Sequence, residues 1–151
     1  MSVLREIYTH YGSEKFDKKL WTPIQNEPLC NKPHGGLWAV KNNSTYGWKE
    51  WCQENDFRVD KLDTKFEFML SDDANILELT TSDGLKNIQI KEPPVPMIVN
   101  NILPDFEKML QSGIDAIQLS LSDGNYELYF PMYGWDCDSI LIMNPDIIQP
   151  L

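Results

Sequence analysis

A chain of 151 residues, 42% hydrophobic and 11% aromatic, can bury one core of its own, which excludes a disordered tail and predicts a single domain. Thirteen Lys and Arg against 23 Asp and Glu leave a net charge of −10 with no basic stripe, so broad nucleic-acid binding is excluded. An enzyme that meets one nucleotide through a small local patch stays open, as does an acidic decoy that imitates DNA.

In chain order, residues 3–10 (Val3 to His10) predict a first strand that ends in the polar turn Tyr11-Gly12-Ser13. Trp21 to Gly36, with Pro23, Pro28, Pro33, Gly35 and Gly36, is a loop by composition. Leu37 to Val40 predicts a short apolar strand. Residues 44–54 predict a helix capped by Ser44 or Thr45, with Trp48, Trp51 and Cys52 on one face. From Lys65 the period becomes two, with Phe66, Phe68 and Leu70 alternating, and Asn75 to Leu79 predicts another strand. Ser82-Asp83 opens a short helix carrying Leu85 and Ile88, and Glu92 to Pro96 is an extended connector. Residues 102–112 predict a second amphipathic helix, striped by Ile102, Phe106, Met109 and Leu110 and stopped by Gly113. Ala116 to Leu121 predicts a strand, Ser122 to Asn125 a hairpin turn, Glu127 to Met132 the returning strand, and Ser139 to Met143 the last. Strands and helices interleave without a strict βαβ rhythm, which predicts an α+β fold. Cys30, Cys52 and Cys137 make an odd count with no CxxC pair, and no signal peptide or spanning run is present, so reduced thiols and a cytoplasmic location are expected. Asn42 and Asn43 match the glycosylation pattern, which carries nothing without a secretory signal.

Three segments stand out: Tyr8-Thr9-His10-Tyr11-Gly12-Ser13, Gly35-Gly36-Leu37-Trp38-Ala39-Val40, and Trp135 to Pro145. In this order they resemble the signature of the His-Tyr-Glu clade of ADP-ribosyltransferases, the clade of the poly-ADP-ribose polymerases and the DarT-type toxins. The same segments also resemble a narrower bacterial and phage group to which no activity attaches. The resemblance spans nearly the whole chain. It implies a pair of splayed β-sheets with two or three helices, NAD as substrate, and mono-ADP-ribosyl transfer or NAD hydrolysis. The acceptor would be a macromolecule, protein or nucleic acid, and the setting that of a toxin or a phage–host conflict. It also implies that His10, Tyr11, Gly12, Ser13, Gly36, Trp38, Ser44 and Trp48 bind the dinucleotide. Trp38 stands at the clade's tyrosine, and Trp48 lies near a second aromatic that stacks on nicotinamide.

These residue types suit that chemistry. Breaking the nicotinamide–ribose bond passes through an oxocarbenium-like sugar, so the site must orient the dinucleotide and stabilise positive charge. A strand-end imidazole can hydrogen-bond ribose hydroxyls, a following glycine opens the backbone to the nicotinamide amide, and aromatic faces hold the ring flat. A carboxylate under the ribose supplies negative charge and takes a proton from the incoming nucleophile. The clade's closing-strand Glu, however, falls at Ser139. The nearest acids are Asp138 and Asp136, and alternation along a strand turns Asp138 away from the side of Ser139 unless the backbone bends. Asp138, His10 and Asp136 are therefore the candidate catalytic residues, with a bend around Cys137 expected to bring Asp138 in.

Ordinary readings stand beside these. A lone strand-end His10 is usually a satisfied structural residue, Trp38 and Trp48 are usually core, Gly35-Gly36 is simplest as a tight turn, and Asp136 and Asp138 would normally be solvated or cap a loop. Cys30-x3-His34 has the spacing of a zinc half-site without a second pair, so no metal is expected. Cys137 with His10 as base is a conceivable nucleophile, but two flanking carboxylates raise a thiol pKa. No Walker loop, GxGxxG or GxSxG occurs. The remaining alternative to an enzyme is a non-catalytic nucleotide-binding protein or acidic inhibitor on the same fold.

Overall fold

The computed structural model describes residues 5–91, 102–121, 126–129 and 131–151. Within them the alternation seen in the sequence becomes β3 (Lys65–Leu70), whose Phe66, Phe68 and Leu70 turn inward while Lys65 and Glu67 face solvent. On one side β3 pairs antiparallel with β1 (Tyr8–Tyr11), placing His10 opposite Phe66; on the other it pairs with β7 (Ile148–Pro150). The remaining strands are β2 (Leu37–Lys41), β4 (Ile76–Leu79), β5 (Ala116–Leu119) and β6 (Ser139–Ile142). They complete a seven-stranded order, β4-β5-β6-β2-β1-β3-β7, mixed because β4 and β5 run parallel.

Strand β2 is the joint. Leu37, Trp38 and Ala39 pair with β6, whereas Val40 and Lys41 pair with β1. The expected pair of splayed sheets is thus one continuous order in which β2 changes partner midway. In that order β1 and β6 flank β2. Two apolar clusters form. One gathers Leu79, Phe106, Met109, Ile117, Leu119 and Leu141; the other gathers Tyr8, Phe66, Phe68, Ile140, Ile142 and Ile148. Residues 140 and 141 fall in different clusters, as period two requires.

Two α-helices lie among the described residues, α1 (Trp48–Asn55) and α2 (Phe106–Gln111). Neither is long and apolar enough to cross a membrane. Helix α1 starts later than Ser44 or Thr45, with Gly47 as its N-cap and the Glu50 carboxylate accepting from the Gly47 N–H at 3.1 Å. Glycine is needed at 47 because an added Cβ would lie 2.5 Å from Val40 Cγ2. Helix α2 starts at Phe106 rather than Ile102. Pro104 holds Leu103 out of helical geometry, and the Asp105 carboxylate then caps the Lys108 N–H at 3.0 Å.

Among the described residues the expected return strand from Glu127 to Met132 is not formed. Tyr126–Leu128 is a 3₁₀ turn, and the free edge of β5 is taken by β6, with Ala116 opposite Ile142. Ser82–Asn87 is likewise 3₁₀, the Ala116 strand ends at Leu119, and β7 was not foreseen. Val3, the connector at 92–96 and the turn at 122–125 lie outside the described residues.

Candidate functional site

Where β1, β2 and the approach to β6 meet, a cavity of about 700 Å³ opens. Its back wall starts at His10, whose Nδ1 lies 2.6 Å from the Trp38 carbonyl. A carbonyl only accepts, so Nδ1 carries the proton and Nε2 carries the lone pair in the neutral ring. Among the described residues Nε2 has no hydrogen-bond partner, and it sits beside Gly12, where an added Cβ would come 3.9 Å away. Burial holds the His10 pKa below its ordinary value, with the Trp38 carbonyl pulling the other way. The ring packs on Phe66, centroids 5.2 Å apart. Gly12 turns the chain at φ +113° and donates its N–H to the Thr64 carbonyl at 2.7 Å.

Aromatic faces make the sides. Trp38 meets Trp135 edge to face at 4.8 Å, and Trp135, only 2% exposed, donates its indole N–H to the Asn31 carbonyl at 2.8 Å. The buried Asn31 amide in turn donates to the Tyr133 carbonyl at 2.7 Å. That pair of bonds ties the 31–32 loop to the 133–135 turn and sets Lys32 Nζ over the Trp38 ring, 5.9 Å from its centre. Across the cavity Trp48 stacks on Trp51 at 5.2 Å and 12°, with Phe57 edge-on to both. Both tryptophans singled out in the sequence therefore line one cavity, and both also serve in aromatic clusters.

The acids separate. Between Trp135 and Cys137 the Cys137 N–H donates back to the Trp135 carbonyl around Asp136, whose φ is +54°. This is a tight γ-turn with a non-glycine residue at positive φ, an arrangement that costs about 1–3 kcal/mol and collects at functional sites. The expected bend around Cys137 exists, but the acid it brings to the cavity wall is Asp136. Asp138 does not line the cavity. It is 5% exposed and accepts from the Leu121 N–H at 2.6 Å and the Ser44 hydroxyl at 2.7 Å. Ser139 does line it, and its hydroxyl donates to the Cys137 carbonyl at 2.9 Å.

The structure brings together His10, Tyr11, Gly12, Trp38, Trp48 and Asp136. It does not bring in the rest. Ser13 is exposed beyond the turn. Ser44, spent on Asp138, lines a neighbouring cavity of about 260 Å³. Gly36 packs behind β2, where an added Cβ would lie 2.7 Å from Ile24 Cδ1 and 2.9 Å from the Ile142 carbonyl. Cys137 touches the cavity as a thiol pushed up to about 11, by burial first and by Asp136 and Asp138 after it, which makes it a poor nucleophile. Sequence reasoning missed Trp135 as a cavity wall and missed Lys32, Arg58 and Lys61 altogether. The last three stand on connecting segments where a lone cation carries no periodic signal.

Compared with family models, with curated proteins and with solved structures, the chain matches none.

Proposed function

We propose that the chain binds NAD in this cavity and breaks its nicotinamide–ribose bond, passing ADP-ribose to a macromolecular acceptor or to water. The observation that carries the reading is that His10, Trp38, Trp48 and Asp136, from four separate parts of the chain, line one cavity of about 700 Å³. That volume lies within the usual range for a small-molecule site. The faces of Trp38 and Trp48 sandwich or edge the flat nicotinamide. Neutral His10 accepts from a ribose hydroxyl through Nε2 and so fixes the sugar. Asp136 supplies the negative charge that the developing oxocarbenium needs. The C1′–N bond breaks with its electron pair leaving on nicotinamide, the acceptor's nucleophilic atom bonds to C1′, and Asp136 takes the acceptor's proton.

A second reading is favoured by one residue. Ser139 presents a hydroxyl to the cavity at the position where the resembling clade carries its Glu. A protein that holds the nucleotide without turnover would need no acid there. Incubating the protein with NAD, with and without cell lysate, and following nicotinamide release and label transfer distinguishes the two. Release supports the enzyme, and saturable quenching of tryptophan fluorescence without release supports the binding protein. Neither response in the wild type overturns both. Trp38→Ala should weaken NAD binding several-fold, since a lost aromatic face is worth about 1 kcal/mol.

A further inference from the structure

The charges around the cavity run against those of the whole chain. Cations are outnumbered 13 to 23 overall, yet Lys32, Arg58 and Lys61 meet only Asp60 and Asp136 along the cavity wall. None of the three is in an ion pair among the described residues, where the salt bridges are Arg5–Asp72, Lys18–Asp146 and Lys86–Asp83. Two of the positions are also held. Lys32 is set over Trp38 by the Asn31–Trp135 bonds. Arg58 lies 5.1 Å from the centre of the Phe57 ring on a backbone at φ +49°, two residues after Asp56 at φ +50°. The left-handed backbone at Arg58 is unfavourable for a non-glycine residue, and three cations against two carboxylates leave the cavity wall with positive charge in excess.

We infer that Lys32, Arg58 and Lys61 form the seat for the phosphates of a nucleoside diphosphate compound, beside the flat ring that the tryptophans hold. The inference rests on the proposed reading for the identity of the flat group and supplies what that reading lacks, the residues that recognise the diphosphate. Two phosphates bring negative charge and several acceptor oxygens to these donors, since a guanidinium can engage phosphate oxygens in pairs while each ammonium acts as a point charge. A neutral ligand such as free nicotinamide would leave the excess positive charge of the wall uncompensated. In a chain of net charge −10 the seat is also the place where an anion escapes long-range repulsion.

The test uses inorganic pyrophosphate, ADP-ribose and nicotinamide as separate probes by calorimetry, on the wild type and on the triple variant Lys32→Gln, Arg58→Gln, Lys61→Gln. All three side chains are exposed and outside ion pairs, so the variant keeps its fold, as circular dichroism will report. Pyrophosphate and ADP-ribose should bind the wild type with affinity that falls as salt rises, and the triple variant should lose roughly tenfold or more for both. Nicotinamide affinity should change far less, and only through the loss of Lys32 from the Trp38 face. Equal ADP-ribose affinity in both proteins, or wild-type affinity indifferent to salt, overturns the inference while leaving nicotinamide binding and release to support the NAD reading. Salt-sensitive pyrophosphate binding that the variant loses, in a protein that never binds nicotinamide or releases it from NAD, upholds the seat and overturns the NAD reading. Should the triple variant unfold, the single variants Arg58→Gln and Lys61→Gln must each lower the pyrophosphate affinity several-fold, and wild-type affinity in both overturns the inference.

Discussion

Replacing Asp138 by Ala removes a buried carboxylate that accepts from the Leu121 N–H at 2.6 Å and from the Ser44 hydroxyl at 2.7 Å. Bonds to a charged group are worth about 1.5–3 kcal/mol each, and two on one carboxylate do not add fully, so the loss should be about 3–5 kcal/mol. A domain of this size shifts by about 2–4 °C per kcal/mol, which places the melting temperature roughly 10 °C lower. Asp136→Asn should behave in the opposite way. Its side chain is exposed, and asparagine tolerates the left-handed φ of +54°, so stability should stay within about 0.5 kcal/mol of wild type. If Asp136 is the acid, nicotinamide release should fall by about 100-fold or more in that variant. Denaturant unfolding followed by tryptophan fluorescence gives the first pair of values and chromatographic assay of nicotinamide gives the second. An Asp138→Ala protein within 1 kcal/mol of wild type would refute the structural role, where ~3–5 is expected. Full turnover in Asp136→Asn would leave the cavity without its acid.

Gly36→Ala should destabilise by about 2–4 kcal/mol, because φ is +75° and the new Cβ would press the Ile142 carbonyl at 2.9 Å across the β2–β6 ladder; unaltered unfolding would show that the junction can shift. For His10 the folded pKa is depressed by burial, so as pH falls the unfolded chain takes the proton first. The stability contribution is therefore present above the unfolded value of about 6.5, is lost on acidification below it, and levels off beneath the folded value. His10→Asn keeps a donor for the Trp38 carbonyl without titrating, and its pH–stability profile should be flatter than wild type through that window. An identical slope would assign the acid sensitivity elsewhere.

Much of the fold was legible where a single period decides the matter. Phe66, Phe68 and Leu70 announce β3, and the strands read from Ala116 to Leu121 and from Ser139 to Met143 form over Ala116–Leu119 and Ser139–Ile142. What failed were readings that depend on neighbours distant in sequence. Glu127 to Met132 alternates well enough for a strand, yet the edge it would need on β5 belongs to β6, and ladder bonds outweigh propensity. Ser44 has the chemistry of an N-cap, but a buried carboxylate 94 residues away is a stronger partner than a free helix end, so the cap moves to Gly47. β7 is too short, and too full of Gln149 and Pro150, to be visible before β3 presents it with an edge.

The cavity was legible as a set of segments and illegible as a set of directions. His10, Trp38 and Trp48 belong together because β1 and β2 are neighbours and α1 follows β2 directly, which chain order implies. The choice between two acids two residues apart turned on one backbone angle. With an extended residue at 136, alternation would have put Asp136 and Asp138 on the same side. The positive φ at Asp136 breaks that alternation, leaves Asp136 at the cavity wall and sends Asp138 to the Leu121 amide and the Ser44 hydroxyl. Nothing in Trp-Asp-Cys-Asp-Ser specifies that angle locally, since aspartate only tolerates it. It is held by the neighbours, with the Trp135 indole bonded to Asn31 on one side and the Asp138 N–H bonded to the Tyr46 carbonyl at 3.0 Å on the other. Which acid the cavity receives is thus set by a turn clamped between two buried anchors, and loosening either anchor should cost the cavity Asp136 before it costs the protein its fold.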